Sequence, residues 1–170
     1  APVSLLKDQG AQITLNSCDD GFMDALCDAI AETKASIAFD AIGGGRTADT
    51  LLAAMERAFS RDAQNWSPYG STVLKQVYLY GGLDLTPTTL NRSYGMAWSI
   101  GGYLLPNFIA RVGMDRAREL QERVAAELTT TFKSHYAHEI SLSDMLDLAT
   151  AQAYQAKATG EKYLVNPTLG

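Results

Sequence analysis

Apolar positions along this chain follow two rhythms, and the change from one to the other marks its elements. Ala35, Ile37, Phe39, Ala41 and Ile42 form an apolar run that leads into Gly43-Gly44-Gly45. Such a run fits a strand buried on both faces, as parallel sheets require. Ala48, Leu51, Leu52, Met55 and Phe59 then recur at helical spacing, which predicts an amphipathic helix. Strand, glycine turn and helix is the unit of nucleotide-binding α/β sheets, whose ligands sit outside the carboxyl ends of the strands.

The same reading extends to both ends. Leu5 to Ala11 reads as the end of a helix with Gly10 as its C-cap. Gln12 to Asn16 is a short strand candidate through Ile13 and Leu15. Asp19 or Asp20 can cap the next helix, whose stripe is Phe22, Met23, Leu26, Cys27 and Ile30. Arg61 to Thr72 is a polar loop long enough for an insertion or an exposed flap. Val73 to Tyr80 predicts a strand ended by Gly81-Gly82, and Met96 to Leu105 another, interrupted by Gly101-Gly102. Asp115 to Leu128 predicts a helix through Leu120, Val124 and Leu128. Ser141 to Asp144 resembles a capping box. It opens a helix to about Lys157 that Gly160 ends, and Tyr163 to Val165 forms a last strand.

Alternation of this kind predicts an α/β fold. It is a partial Rossmann-like parallel sheet with flanking helices, lacking its first β-α-β unit, because no strand precedes the helix at Leu5. There is no internal repeat and no low-complexity stretch.

Composition narrows the partners. A chain of 170 residues can bury one sizeable core. Its net charge of −5 argues against nucleic acid or an anionic membrane as a partner. No apolar run approaches the roughly 18 residues of a membrane span, and Ala1-Pro2-Val3-Ser4 carries no signal-peptide pattern. Cys18 and Cys27 match neither a zinc hairpin nor a redox pair. Two reduced thiols make a cytoplasmic location the expectation.

Three groups invite chemistry. Gly43-Gly44-Gly45-Arg46-Thr47 could cradle a phosphate on helix amides with Arg46 adding charge, or could be a tight turn with Thr47 as a cap. Tyr80-Gly81-Gly82-Leu83-Asp84 closes a second strand, and its glycines would let a planar ligand approach the backbone, or would simply turn the chain. Both pairs would lie on one edge of the sheet. His135, His138 and Glu139 have a metal-like spacing, but no H-E-x-x-H is present and the stretch lacks helical periodicity. A surface role is the expectation there, and no metal site is assigned.

Taken in order, several segments resemble the medium-chain dehydrogenase/reductase superfamily. They are Leu5 to Ala11, Thr14-Leu15-Asn16-Ser17, Phe39-Asp40-Ala41-Ile42-Gly43-Gly44, Val77-Tyr78-Leu79-Tyr80-Gly81-Gly82-Leu83 and Thr159-Gly160-Glu161-Lys162-Tyr163-Leu164-Val165. The similarity covers nearly the whole chain. Its nearest branch resembles the quinone oxidoreductases, a group that shares the "zinc-containing" alcohol dehydrogenase label. The resemblance implies a Rossmann domain that binds NADP or NAD, and a separate catalytic domain. It places Ala41, Ile42 and Gly43 beside the cofactor and Tyr80, Gly81, Gly82 and Leu83 along its nicotinamide side. Trp98, Ser99 and Ile100 would lie on a strand near the carboxamide, one that pairs across a homodimer in many members. Lys162 would lie near the cofactor or the domain junction.

The pyrophosphate-binding glycine fingerprint and the strand that follows it are absent from this sequence. The resemblance therefore implies a C-terminal piece of a reductase. Residues 1–128 would belong to the nucleotide-binding domain and 129–170 would return toward the catalytic domain. The parent would pass hydride to a small quinone, enone or carbonyl substrate, and the piece alone would be inactive. The competing expectations are a non-catalytic half-Rossmann dimerisation module and a small phosphate-ligand enzyme centred on Gly43 to Thr47.

Overall fold

A three-stranded parallel sheet in the order β1-β3-β5 carries the larger part of the computed structural model. The structure describes residues 3–61, 67–133, 136–156 and 162–169. Contacts divide the chain into two units, Leu15–Arg116 and Ala1–Thr14 with Ala117–Gly170.

In the first unit, α2 (Phe22–Thr33) precedes β1 (Ile37–Asp40), a short β2 (Gly43–Gly45) and α3 (Thr47–Ser60). Then come β3 (Lys75–Leu79), β4 (Asp84–Thr88), β5 (Trp98–Gly102) and α4 (Leu105–Val112). The helix α3 organises the core. Ala54, Met55 and Ala58 pack on Cys27 and Ile30 of α2, and Ala48 and Leu52 pack on Val77 and Tyr94. Burying a leucine of this kind stabilises by about 1.5–3 kcal/mol. β2 and β4 form a separate parallel ladder beyond the sheet, with a register shift between Gly43 and Gly45.

In the second unit, α1 (Val3–Asp8) ends in paired bonds from Gly10 N–H to Lys7 and from Ala11 N–H to Leu6. This is the glycine cap expected there, with Gly10 at φ 93°. α5 (Met114–Ala126) starts in the first unit and continues into the second. β6 (His138–Ile140) and β7 (Tyr163–Val165) pair in parallel, and α6 (Leu142–Met145) and α7 (Leu148–Gln155) lie between them in sequence.

Several expectations change. The Ala35 strand is not buried on both faces. Ala38 and Asp40 face the α3 side, whereas Ile37 and Phe39 are 51% and 58% exposed. Phe39 instead stacks on Tyr78 and meets Tyr103 edge-on, forming an aromatic row on the uncovered face. Gln12 to Asn16 forms no strand, since Ile13 and Leu15 find nothing to pair with and stay exposed. The cap of α2 is Gly21 in left-handed geometry rather than Asp19 or Asp20, and α3 starts without a side-chain cap from Thr47. The capping box at Ser141 and Asp144 is present, but its helix stops at Met145 and restarts after Asp147 caps α7. Gly160, the expected end of that helix, lies outside the described residues, as does His135.

Candidate functional site

The two glycine turns meet at the carboxyl ends of β1 and β3. Phe39 pairs with Tyr78 and Asp40 with Leu79, so Ala41 and Tyr80 leave the sheet side by side. The Tyr80 N–H donates to the Asp40 carbonyl at 3.0 Å and the Asp84 N–H to the Ile42 carbonyl at 3.0 Å. The turns are in backbone contact. A β-carbon on Gly81 would overlap the Ala41 carbonyl, and one on Gly43 would lie 2.5 Å from the Gly81 oxygen. Gly44 is equally hemmed in by the Thr86 and Asp84 carbonyls of β4. These three glycines are therefore required by the way the turns pack on each other.

Gly82 differs. A β-carbon there would meet nothing closer than the Leu85 side chain at 3.7 Å. Its backbone is open, and Ile42, Tyr80 and Leu83 are exposed around it. An open backbone flanked by apolar and aromatic side chains is a surface against which a planar ring can lie.

Asp40 and Asp49 hold this edge together. The Asp40 Oδ1 accepts from the N–H groups of Ile42 at 2.8 Å and Gly43 at 3.3 Å. Asp49, in the first turn of α3, is buried and accepts from the Asn91 N–H and side-chain amide, the Tyr94 hydroxyl and Arg46. Burial works against the Asp49 charge, but these donors outweigh it and its pKa falls. Burial and the facing Asp49 carboxylate push the Tyr94 hydroxyl up. Arg46, the cation of the phosphate reading, is engaged by Asp49 at 2.8 Å. At the entry to β4, Asp84 is held below its usual pKa by the Thr86 N–H.

Trp98, Ser99 and Ile100 lie on a strand, as expected, but not level with the glycine turns. Trp98 pairs with Lys75, Ser99 with Gln76 and Ile100 with Val77, so they run from the amino end to the middle of β3. Trp98 and Ile100 pack into the core around Tyr94, and the Ser99 hydroxyl accepts from Gln76. The part of that strand level with the glycine turns is Gly102, opposite Leu79, followed by Tyr103, whose N–H donates to the Leu79 carbonyl. Sequence reasoning missed both. It also missed Asp40, although an acidic residue closing an apolar strand is a visible anomaly, since Asp is depleted in strands.

Lys162 lies in the second unit, where it lines a cavity of about 470 Å³ with Ile140, Met145, Tyr154, Tyr163 and Val165. His138 is on β6, not a helix, and stacks on Tyr163. Glu139 accepts from the Asn166 amide. Among the described residues no group of three or more His, Cys, Asp or Glu is arranged to hold a metal. No described helix is long and apolar enough to cross a membrane.

No family model matches the chain, and no curated protein does. A solved structure from Mesorhizobium loti, provisionally described as an NADPH:quinone reductase, superposes on 97% of this chain with a TM-score of 0.68 and 20% identity. The chain spans 43% of that protein's length. The likeness establishes the fold: a partial Rossmann-like α/β domain of the kind found in that reductase.

Proposed function

We propose that this chain works as the carboxyl-terminal portion of a nicotinamide-dependent reductase, with the cofactor at the joined ends of β1 and β3. One observation carries the reading. The Ala41–Gly43 and Tyr80–Gly82 turns form one backbone-packed platform at the carboxyl edge of a parallel sheet, where ligands of such sheets bind. The residues fit a nicotinamide, because Gly82 leaves the backbone open and Ile42, Tyr80 and Leu83 offer apolar surface beside it. The described M. loti relative in fold supports the class.

The bound cofactor would supply hydride to a quinone, enone or carbonyl, and this chain's residues would place the ring and keep water from it. The test is a reductase assay on the full-length protein from its natural reading frame, with NADPH and NADH against quinones, enones and aldehydes. Nicotinamide oxidation dependent on one acceptor class is expected. Turnover with no acceptor and no nucleotide binding would refute the reading.

The dimerisation alternative draws on β5, which is an edge strand of its sheet among the described residues. An open edge is a template for pairing with a second copy. Light scattering decides it: the Gly102 N–H points away from β3, so a dimer that Gly102→Pro converts to a monomer supports pairing through β5, and a monomer at the outset rejects it.

A further inference from the structure

Asp40 ends β1 as a carboxylate only 2% exposed. Its Oδ1 makes both of the bonds described above, to Ile42 and Gly43. Its Oδ2 is buried and has no partner among the described residues. A buried carboxylate with an idle oxygen is costly, so what the side chain contributes here is its one engaged oxygen rather than its charge. The side chain instead fixes one segment. It binds two N–H groups of the Ala41–Gly43 turn. The Ile42 carbonyl of that turn is taken by the Asp84 N–H, and the Gly43 carbonyl by the Thr88 hydroxyl at 2.6 Å. The turn is thus held from inside by Asp40 and from outside by β4.

We infer that Asp40 is a positioning residue for cofactor binding: by holding the Ile42 and Gly43 amides it sets the turn against which the nicotinamide half lies. This rests on the proposed function. Asp40 is buried beneath the turn, so it acts through the backbone rather than on the ring. Only one oxygen is used, so a neutral amide can do the same work. Asparagine keeps the Oδ1 acceptor and removes the buried charge. Glutamate keeps the charge but places it one methylene too far to reach both amides.

The test is an NADPH fluorescence titration of the full-length protein, wild type and Asp40→Asn, Asp40→Glu and Asp40→Ala, with Tm recorded for each. Asp40→Asn is expected to bind within about threefold of wild type. Asp40→Ala and Asp40→Glu are expected to weaken Kd about tenfold, the scale of losing hydrogen bonds to a charged acceptor. Wild-type affinity in those two variants overturns the inference, as does an Asn variant as weak as Ala. If Ala and Glu do not fold, hydrogen exchange of the Asn variant decides. Cofactor protection of the Ile42 and Gly43 amides supports the inference, and its loss rejects it. A wild type that binds neither NADPH nor NADH overturns the proposed function itself, before any variant is compared.

Discussion

A β-carbon on Gly81 would fall 2.2 Å from the carbonyl oxygen of Ala41, so the chains leaving β1 and β3 pack backbone to backbone there. Its neighbour Gly82 has room for a β-carbon, which would meet only the Leu85 side chain at 3.7 Å. Two adjacent glycines thus have different reasons to exist. Gly81→Ala must push the turns apart and is expected to destabilise by about 1–3 kcal/mol, the usual cost of overpacking. Gly82→Ala is expected to leave stability within about 0.5 kcal/mol, as for surface changes, while weakening nucleotide binding by adding a methyl group to the ligand face. Urea unfolding and NADPH titration of both variants separate the two roles.

Lys75 is fully buried and pairs with Glu56 at 2.6 Å, with Ser71 bonded to both. Burial opposes the Glu56 charge, but the Lys75, Ser71 and Ser60 hydrogen bonds prevail and hold its pKa at about 2, against an ordinary 4.5. A carboxyl with a lowered folded pKa stabilises fully above its unfolded value and less as pH falls toward the folded one. The Glu56 contribution is therefore complete above pH 4.5 and is lost as pH falls through about 2. Unfolding midpoints across that window should fall more steeply for wild type than for Glu56→Gln.

The same pair predicts an asymmetric double-mutant result. Lys75→Met leaves a buried carboxylate without its cation and is expected to cost about 3–5 kcal/mol. Lys75→Met combined with Glu56→Leu should recover much of that loss. A single variant as stable as wild type would mean that Glu56 finds another cation or reaches water.

Tyr94 donates to Asp49, and Asn91 joins them, tying the loop after β4 to the first turn of α3. Tyr94→Phe keeps the ring packed on Ala48, Leu52 and Trp98 but removes the hydroxyl. It is expected to cost about 1.5–3 kcal/mol, the range for a hydrogen bond to a charged group, measured as a lower urea midpoint with an unchanged slope.

The cysteines should label at different rates. Cys18 is exposed, whereas Cys27 is buried and its thiol is pushed up by that burial. One thiol is expected to react rapidly with a thiol reagent in the folded protein, and both in denaturant. Rapid labelling of both in the folded state would show that α2 opens from α3.

Long apolar periodicities were legible in the sequence. The stripes of α2 and α3 and the strand at Tyr163 to Val165 appear as read, because each carries its own pattern. The strands β2 and β4 were not. β2 is three glycines and β4 carries Pro87, so neither has strand character, and both exist only because the turns pack together. The run at Ala35 read as doubly buried because apolar residues look alike on both faces. Only the structure shows Phe39 and Tyr78 stacked on an uncovered face. Of the site, the glycine turns were visible, but the strand register was not. Register sets Gly102 and Tyr103 level with the glycine turns, and Trp98 at the other end of β5.

The most direct test of a nicotinamide site at this edge is hydrogen exchange of the full-length protein with and without saturating NADPH. The account predicts protection in the segments Ala41–Gly43 and Tyr80–Leu83, and little change across Trp98–Ile100. No protection in those two segments with either nicotinamide nucleotide would contradict it.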